Sequence, residues 1–397
     1  MSIKGYLLKK DYYSAVKNFI FFFLNFRKFI KTTILLLKQK EDLKELQNIL
    51  AEYDTLFITH AIGGGTGLFV KNFLNQNNKI LFLTNEVSKI SFLYVLKISD
   101  VKKIYIPKKD LHKVFTNNFS KIYINSLFEF PDWKNILNRL LNFKENFPKS
   151  HIEYFVHDFH CVCPHKNLMY KNYFCNLNCS EYKCKFYKRV DFVNKISVWR
   201  DEWNKFLKNI DSIRCFSESS KSIVKTIYND IEDKIKVIPH NMDYCNFTPI
   251  KEIEKIPFKC AIIGFIDDAA KGLYVTEYLM NRFSEKNLQL VFIGSDYQTF
   301  NGRINISGNH KYLGTYKHDD LQKILEKEKI SIVAFPSACP ETFSYLISEL
   351  MQMNIPIISF DLGAQGEKLK KYEKGYVVKN KEEMADKLIY LEEKNEF

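Results

Sequence analysis

Two carboxylates with seven residues between them stand in the stretch FPSACPETFSYLISELMQMNIPIISFD, Glu341 and Glu349. An apolar strand-like run and Pro340 precede them, and the pattern predicts a helix beginning near Thr342. A helix start there leaves the backbone N–H groups of Phe343 and Ser344 without intrahelical partners, an arrangement that favours a diphosphate. Eight residues of helix rise about 12 Å. That is comparable with a sugar joined through a diphosphate to a nucleoside, so Glu341 could meet sugar hydroxyls while Glu349 meets a ribose. The competing reading makes Glu341 part of a helix cap and Glu349 part of a solvated face.

The other candidates follow short apolar runs: Gly63, Gly64 and Gly65, His157 with Asp158, Gly264 to Lys271, and Ser337 to Ser344. In open α/β sheets ligands bind beyond the carboxyl ends of the strands, which is where these residues would lie. Glycines there let backbone approach a diphosphate or an acceptor closely. An uncharged imidazole at His157 could donate or accept a hydrogen bond without neutralising a phosphate, and a buried histidine closing a strand end is the plain alternative.

The elements needed to position these groups can be read from β-rich runs separated by helix-length intervals. In the first half they cover 54–60, 79–85, 103–107, 121–127, 152–158, 212–218 and 234–240; in the second, 259–265, 288–295, 330–337, 355–361 and 375–380. Two doubly wound sheets fit this number better than one. The stretch 248–257, with two prolines, alternating charges and no apolar face, reads as the linker. The expected organisation is a basic amphipathic segment over 1–50 and a first Rossmann-like domain over 51–247 with a Cys-rich insertion at 159–190. The linker 248–257 and a second Rossmann-like domain over 258–397 follow.

At 397 residues, 46% hydrophobic and 15% aromatic, the chain has ample material for two cores, which excludes disordered and small disulfide-scaffold classes. Its formal charge of +13 is uneven: residues 1–50 and 161–200 each carry a net +6. The distribution argues against a general polyanion-binding surface and leaves two local basic patches, and no nucleic-acid partner is expected. Asn18 to Leu37 is apolar but interrupted by Arg27, Lys28 and Lys31, so it does not read as a bilayer span. Wound as a helix it gathers Phe19, Phe23, Phe26, Ile30 and Ile34 on one face, suited either to an anionic membrane surface or to packing on protein. No cleavable leader is apparent, so the expected location is cytoplasmic, with peripheral contact at the inner membrane face if the first of those readings holds.

Nine cysteines, an odd number, fit reduced thiols better than a disulfide framework. Cys161, Cys163, Cys175, Cys179 and Cys184 cluster near His160 and His165. Without a paired CxxC knuckle, the preferred reading is a basic, aromatic loop over the cleft, and a structural zinc is the alternative. No Asp-x-Asp pair occurs anywhere in the chain, so no catalytic metal is expected.

Residues 336–367 resemble glycosyltransferase family 4, through Pro340-Glu341-Thr342-Phe343-Ser344, Glu349, Pro356, Asp361-Leu362-Gly363-Ala364 and Glu367. The resemblance extends to AIIGFIDDAAKG (261–272), KVIPHNMD (236–243) and the glycine-rich ITHAIGGGTG (58–67). FVHDFHCVCP (155–164) and WRDEWNKFLKNID (199–211) resemble a branch associated with bacterial surface polysaccharides. The resemblance covers roughly residues 52–380. It implies a GT-B fold, two facing Rossmann-like domains, and a retaining, metal-independent transfer of a sugar from a nucleotide-diphosphate donor to a glycan or lipid-linked glycan, with no cofactor required. It also implies roles: Lys271 on the diphosphate, His157 and Glu341 on the donor sugar, Glu349 on the ribose, and Gly64, Gly65, Phe343 and Ser344 in donor binding. The sequence departs from the family where an Arg commonly precedes the Lys. Here Phe265 follows Gly264 and Asp267-Asp268 fill the loop, so another cation, for which the basic 183–200 stretch is the candidate, must substitute or the leaving group is less stabilised. Two rival readings stay open: sugar-nucleotide epimerisation on the same fold, and a non-catalytic basic Cys-rich binding protein.

Overall fold

A computed structural model of the chain describes residues 45–60, 65–76, 79–85, 93–97, 103–128, 130–179, 196–250 and 258–394. The amphipathic segment 18–37, Gly63, Gly64, Cys184 and residues 251–257 of the expected linker lie outside them.

The first half is an eight-stranded sheet. After a helical stretch at 45–51 come β1 (Thr55–Thr59), α1 (Gly65–Gln76), β2 (Ile80–Thr84), β3 (Leu93–Lys97), β4 (Lys103–Pro107), β5 (Lys121–Ile124), α2 (Trp133–Asn146) and β6 (His151–Phe155). A small hairpin, β7 (Met169–Tyr170) and β8 (Tyr173–Phe174), precedes α3 (Ile196–Asn209), β9 (Ser212–Cys215), α4 (Glu218–Ile227) and β10 (Ile235–Val237). The strand order is β10-β9-β6-β5-β1-β2-β3-β4. It is parallel from β10 to β2, but β2–β3 and β3–β4 pair antiparallel, an edge that a purely parallel reading does not anticipate. The burial of every residue of β1 and β2 explains why both runs read as continuously apolar. Helices α2 and α3 bury Ile136, Leu137, Leu140 and Phe143 against Trp199, Trp203, Phe206 and Leu207, with Trp133 stacked on Trp203 at 5.8 Å.

The second half comprises β11 (Cys260–Ile263), α5 (Leu273–Glu285), β12 (Leu290–Ile293), α6 (Tyr297–Phe300), β13 (Lys311–Tyr312), α7 (Leu321–Glu328), β14 (Ile332–Phe335), α8 (Tyr345–Gln352), β15 (Ile357–Phe360), α9 (Gly363–Leu369), β16 (Gly375–Val378) and α10 (Lys381–Lys394). All six strands are parallel in the order β13-β12-β11-β14-β15-β16. This is the dinucleotide-fold order, with its topological switch between β11 and β14. Strand alternation sends Cys260 and Ile262 into one core and Ala261 and Ile263 into another, so both faces of the sheet are covered. Among the described residues no helix is long and apolar enough to cross a membrane.

The halves meet through an aromatic cluster. Phe57, Phe155 and Phe216 of the first half pack with Phe343 and Tyr345 of the second. His240 lies at its centre, stacked 3.9 Å from Phe216 and 4.9 Å from Tyr345. Polar contacts surround it: the Ser217 and Ser220 hydroxyls donate to the Thr342 carbonyl at 2.9 and 3.2 Å, and the Thr342 hydroxyl donates to the His157 carbonyl at 3.2 Å. Glu367 accepts from the Ser219 and Glu218 amides at 2.8 and 3.4 Å, placing a carboxylate at the positive start of α4.

Candidate functional site

The loop after β11 and the loop after β14 are held together by backbone. Ala338 N–H and the Ser337 hydroxyl both donate to the Ala270 carbonyl, at 3.0 and 3.1 Å. Gly272 stands at φ +90°, where a Cβ would lie 2.1 Å from the Pro336 carbonyl oxygen, so this approach requires glycine. The Lys271 amide donates to Asp268 at 2.8 Å, and the Lys271 amine then reaches Glu341 Oε1 at 3.1 Å. The neighbouring Glu341 carboxylate holds the Lys271 pKa above its ordinary value, so the amine is fully charged at neutral pH.

Glu341 itself is fixed by α9. Its amide donates to Gln365 Oε1 at 2.9 Å, its carbonyl accepts from the Ala364 amide at 2.8 Å, and Gln365 Nε2 donates to the Cys339 carbonyl at 2.7 Å. Gly363, at φ +50°, permits this, since a Cβ there would stand 2.5 Å from the Glu341 nitrogen. The Asp361-Leu362-Gly363-Ala364 stretch singled out in the sequence therefore acts as a clamp on the Glu341 loop.

The helix expected near Thr342 begins three residues later, at Tyr345. Ser344 takes a left-handed conformation, φ +60°, and breaks the helix that the apolar spacing would otherwise start earlier. The helix dipole at this point therefore begins at Tyr345, with Ser344 as its cap. The expected 12 Å of unbroken helix between the glutamates does not form. Neither plain alternative holds: the Glu341 side chain pairs with Lys271, and Glu349 is buried, accepting from the Tyr244 hydroxyl at 2.9 Å and His318 Nε2 at 3.0 Å. Burial opposes charge on His318, but the hydrogen bond and charge of Glu349 outweigh it and raise the His318 pKa. Burial and Glu349 together raise the Tyr244 pKa, which keeps that phenol a donor.

From the first half, His157 follows β6 and packs against Phe69, Phe216 and His240 at 4.6, 4.4 and 5.2 Å. Burial, reinforced by His240, pushes the His157 pKa well below the ordinary imidazole range, so the ring is neutral. His157 Nε2 is buried with no hydrogen-bond partner among the described residues. Burial, then the Lys368 charge, lowers His240 to about 3. Asp158 accepts from the Ser126 hydroxyl at 2.7 Å and the His160 amide at 2.9 Å, ordering its own loop. Gly65 opens α1 directly under Tyr345, where a Cβ would lie 3.1 Å from that ring.

These groups border one cavity of about 650 Å³ between the two sheets. Gly65, Thr66, His157, Asp158, Lys166 and Asn167 line it from one side; Gly264, Phe265, Asp268, Lys271, Glu341, Phe343, Ser344 and Glu349 line it from the other. Two helix starts, α1 and α8, therefore face the same space. Gly63 and Gly64 lie outside the described residues; Gly65, His157, Lys271, Glu341, Phe343, Ser344 and Glu349 all border this cavity. Sequence reasoning missed His240, Tyr244, His318, Lys166 and Lys368. His240 could have been found, since KVIPH ends an apolar run as FVH does. His318 and Tyr244 sit in irregular backbone with no periodic signal. Lys368 donates to the Ser344 carbonyl at 3.1 Å and lies 3.4 Å over the Phe343 ring. Burial pushes Lys368 down to about 7 against the pull of Glu341, Glu367 and Glu349.

Among the described residues no three His, Cys, Asp or Glu side chains are grouped to hold a metal. Cys161 turns into the first core, and the Arg200 guanidinium is committed to the Val162 carbonyl and Cys179 sulfur, at 3.2 and 3.3 Å, rather than to the cavity.

Residues 266–397 match the family model described as glycosyl transferases group 1. No curated protein matches the chain significantly. Among solved structures, sucrose-phosphate synthase from Thermosynechococcus elongatus is similar with a TM-score of 0.55 at 14% identity, over 86% of this chain and 90% of that one. HepE of Anabaena, solved in complex with UDP-glucose, gives 0.53 at 15% identity over 86% and 90%. At such identities the likeness is one of fold, and it establishes the GT-B architecture for the pair of facing sheets.

Proposed function

We propose that the chain is a retaining glycosyltransferase that moves a sugar from a nucleotide-diphosphate donor to a hydroxyl of a glycan or lipid-linked glycan acceptor. The observation that carries this reading is the cavity itself. One wall offers a charged lysine beside the start of α8, and the opposite wall offers a neutral histidine beside the start of α1. Lys271 and the α8 amides suit a diphosphate, because a fixed cation and a helix dipole stabilise the charge that accumulates when the glycosidic bond to phosphate breaks. In this reading Glu341 meets sugar hydroxyls, His157 the opposite sugar edge, and Glu349, held by Tyr244 and His318, the ribose. The family match over the second half and the UDP-glucose held by the similar HepE fold support the same donor class.

In the transfer, the acceptor oxygen bonds to the anomeric carbon as the carbon–oxygen bond to the diphosphate breaks. The bonding pair stays on the leaving phosphate, and the acceptor proton passes to that phosphate on the same face. No dedicated nucleophile is needed, and protein cations serve the diphosphate without a divalent ion or cofactor. A role in surface-polysaccharide synthesis at the inner membrane face fits the basic, amphipathic start of the sequence. A panel of nucleotide sugars with glycan acceptors tests the reading. Acceptor-dependent release of nucleoside diphosphate, with the product anomer matching that of the donor, is expected. Epimerised sugar nucleotide without acceptor would overturn it, as would the absence of thermal stabilisation by every nucleoside diphosphate.

A further inference from the structure

The charge around the cavity does not suit a diphosphate if Lys271 acts alone. Asp158, Asp268, Glu341 and Glu349 border it, while Lys166 and Lys271 are the two Lys or Arg side chains doing so among the described residues, and His318 there is bonded to Glu349. Lys271 is already paired with Glu341 at 3.1 Å. A pyrophosphate bridge carrying at least two negative charges needs a further positive group close by.

Lys166 is such a group. It belongs to the Cys-rich insertion of the first half, and its amine rests 4.0 Å over the Phe128 ring, with no carboxylate partner among the described residues. Phe128 is held in turn by its amide on the Ser126 hydroxyl at 3.2 Å, which donates to Asp158. Three residues after Lys166, Met169 is buried in the hydrophobic core of the second half, in one cluster with Ile266 and Ala270 of the loop that carries Lys271. The insertion thus crosses the cleft and is pinned to the far side, which keeps an uncommitted ammonium at the cavity wall.

Building on the function proposed above, we infer that Lys166 supplies the second phosphate-binding cation, delivered by the first domain from the opposite wall of the cavity. This assigns the Cys-rich insertion a part in donor binding. It also makes the assembled diphosphate site dependent on closure of the two halves, since Lys166 and Lys271 lie on different domains.

Calorimetric titration of the full chain with inorganic pyrophosphate, and with ADP, GDP, UDP and CDP beside their monophosphates, tests this. Lys166→Met should weaken the best nucleoside diphosphate about tenfold or more, the monophosphate about threefold or less, and lower the salt sensitivity of binding. Lys166→Arg should restore affinity, and Lys166→Glu should abolish diphosphate binding while melting like the parent protein. Equal diphosphate affinity in Lys166→Met and the parent would overturn the assignment of Lys166 alone. Equal losses for mono- and diphosphates, or a change confined to acceptor KM, would do the same. A parent chain that binds none of these nucleotides would overturn both this inference and the glycosyltransferase reading.

Discussion

At the level of single residues, the Lys271–Glu341 pair divides the donor's recognition in two. Glu341 pairs with the cation in the resting site, and in the function proposed above it is the group that meets sugar hydroxyls. Removing each partner should therefore have opposite effects on nucleotide binding. Lys271→Met is expected to lower transfer by about a hundredfold or more, the scale found when one charge-stabilising group is lost from an active site, and to weaken nucleoside diphosphate binding. Glu341→Ala should also depress transfer, yet bind the nucleoside diphosphate at least as tightly as the parent, because the ammonium is released from its partner. Initial-rate kinetics beside calorimetry separates the two. If both variants lost nucleotide affinity equally, Glu341 would be serving only to orient Lys271.

At the level of elements, Gly272 sets how closely two backbone segments approach, and its cost can be compared with that of a glycine in open space. Gly272→Ala puts a Cβ at 2.1 Å from the Pro336 carbonyl in a left-handed backbone, whereas Gly302, at φ +75°, has nothing within 4 Å of a built Cβ. Denaturant unfolding should show Gly272→Ala losing about 2–4 kcal/mol and Gly302→Ala only about 1–2 kcal/mol of dihedral strain. The same contrast explains what the sequence could reveal. Strands such as TLFIT and CAII are buried on both faces, so their apolar runs declare them, and the strand-end rule then locates His157, Lys271 and Glu341. The apolar spacing starts α8 too early because nothing in it marks the left-handed turn at Ser344, whose carbonyl accepts from Lys368 of α9. β3, between β2 and the edge strand β4, is absent from the sequence reading, as are β7 and β8, whose strands have two residues each. Lys166 looked like one more charge in a basic loop; only the burial of Met169 across the cleft distinguishes it.

At the level of the whole molecule, the seam between the domains contains imidazoles that must stay neutral. His157 and His240 stack in parallel at 5.2 Å inside the aromatic cluster, and burial lowers both pKa values, that of His240 to about 3. Burial also lowers His160, packed edge-on against Trp133, Trp199 and Trp203, to about 4. An unfolded chain protonates these rings near pH 6.5, the folded one only at lower pH, so below 6.5 the unfolded state binds more protons and stability falls with pH. Their contribution is complete above about pH 6.5 and is lost progressively down to about pH 3–4. His240 alone is worth on the order of a few kcal/mol over that window, since each unit of pKa difference is about 1.4 kcal/mol. Unfolding followed from pH 7.5 to 4 should show a steep acid loss that His240→Phe flattens, the replacement ring keeping the stack between Phe216 and Tyr345. Because His157 and His240 lie where the sheets meet, scattering near pH 4.5 should show the halves separating before either sheet melts. Global unfolding in one step, with no expanded intermediate, would place the acid sensitivity in the cores instead.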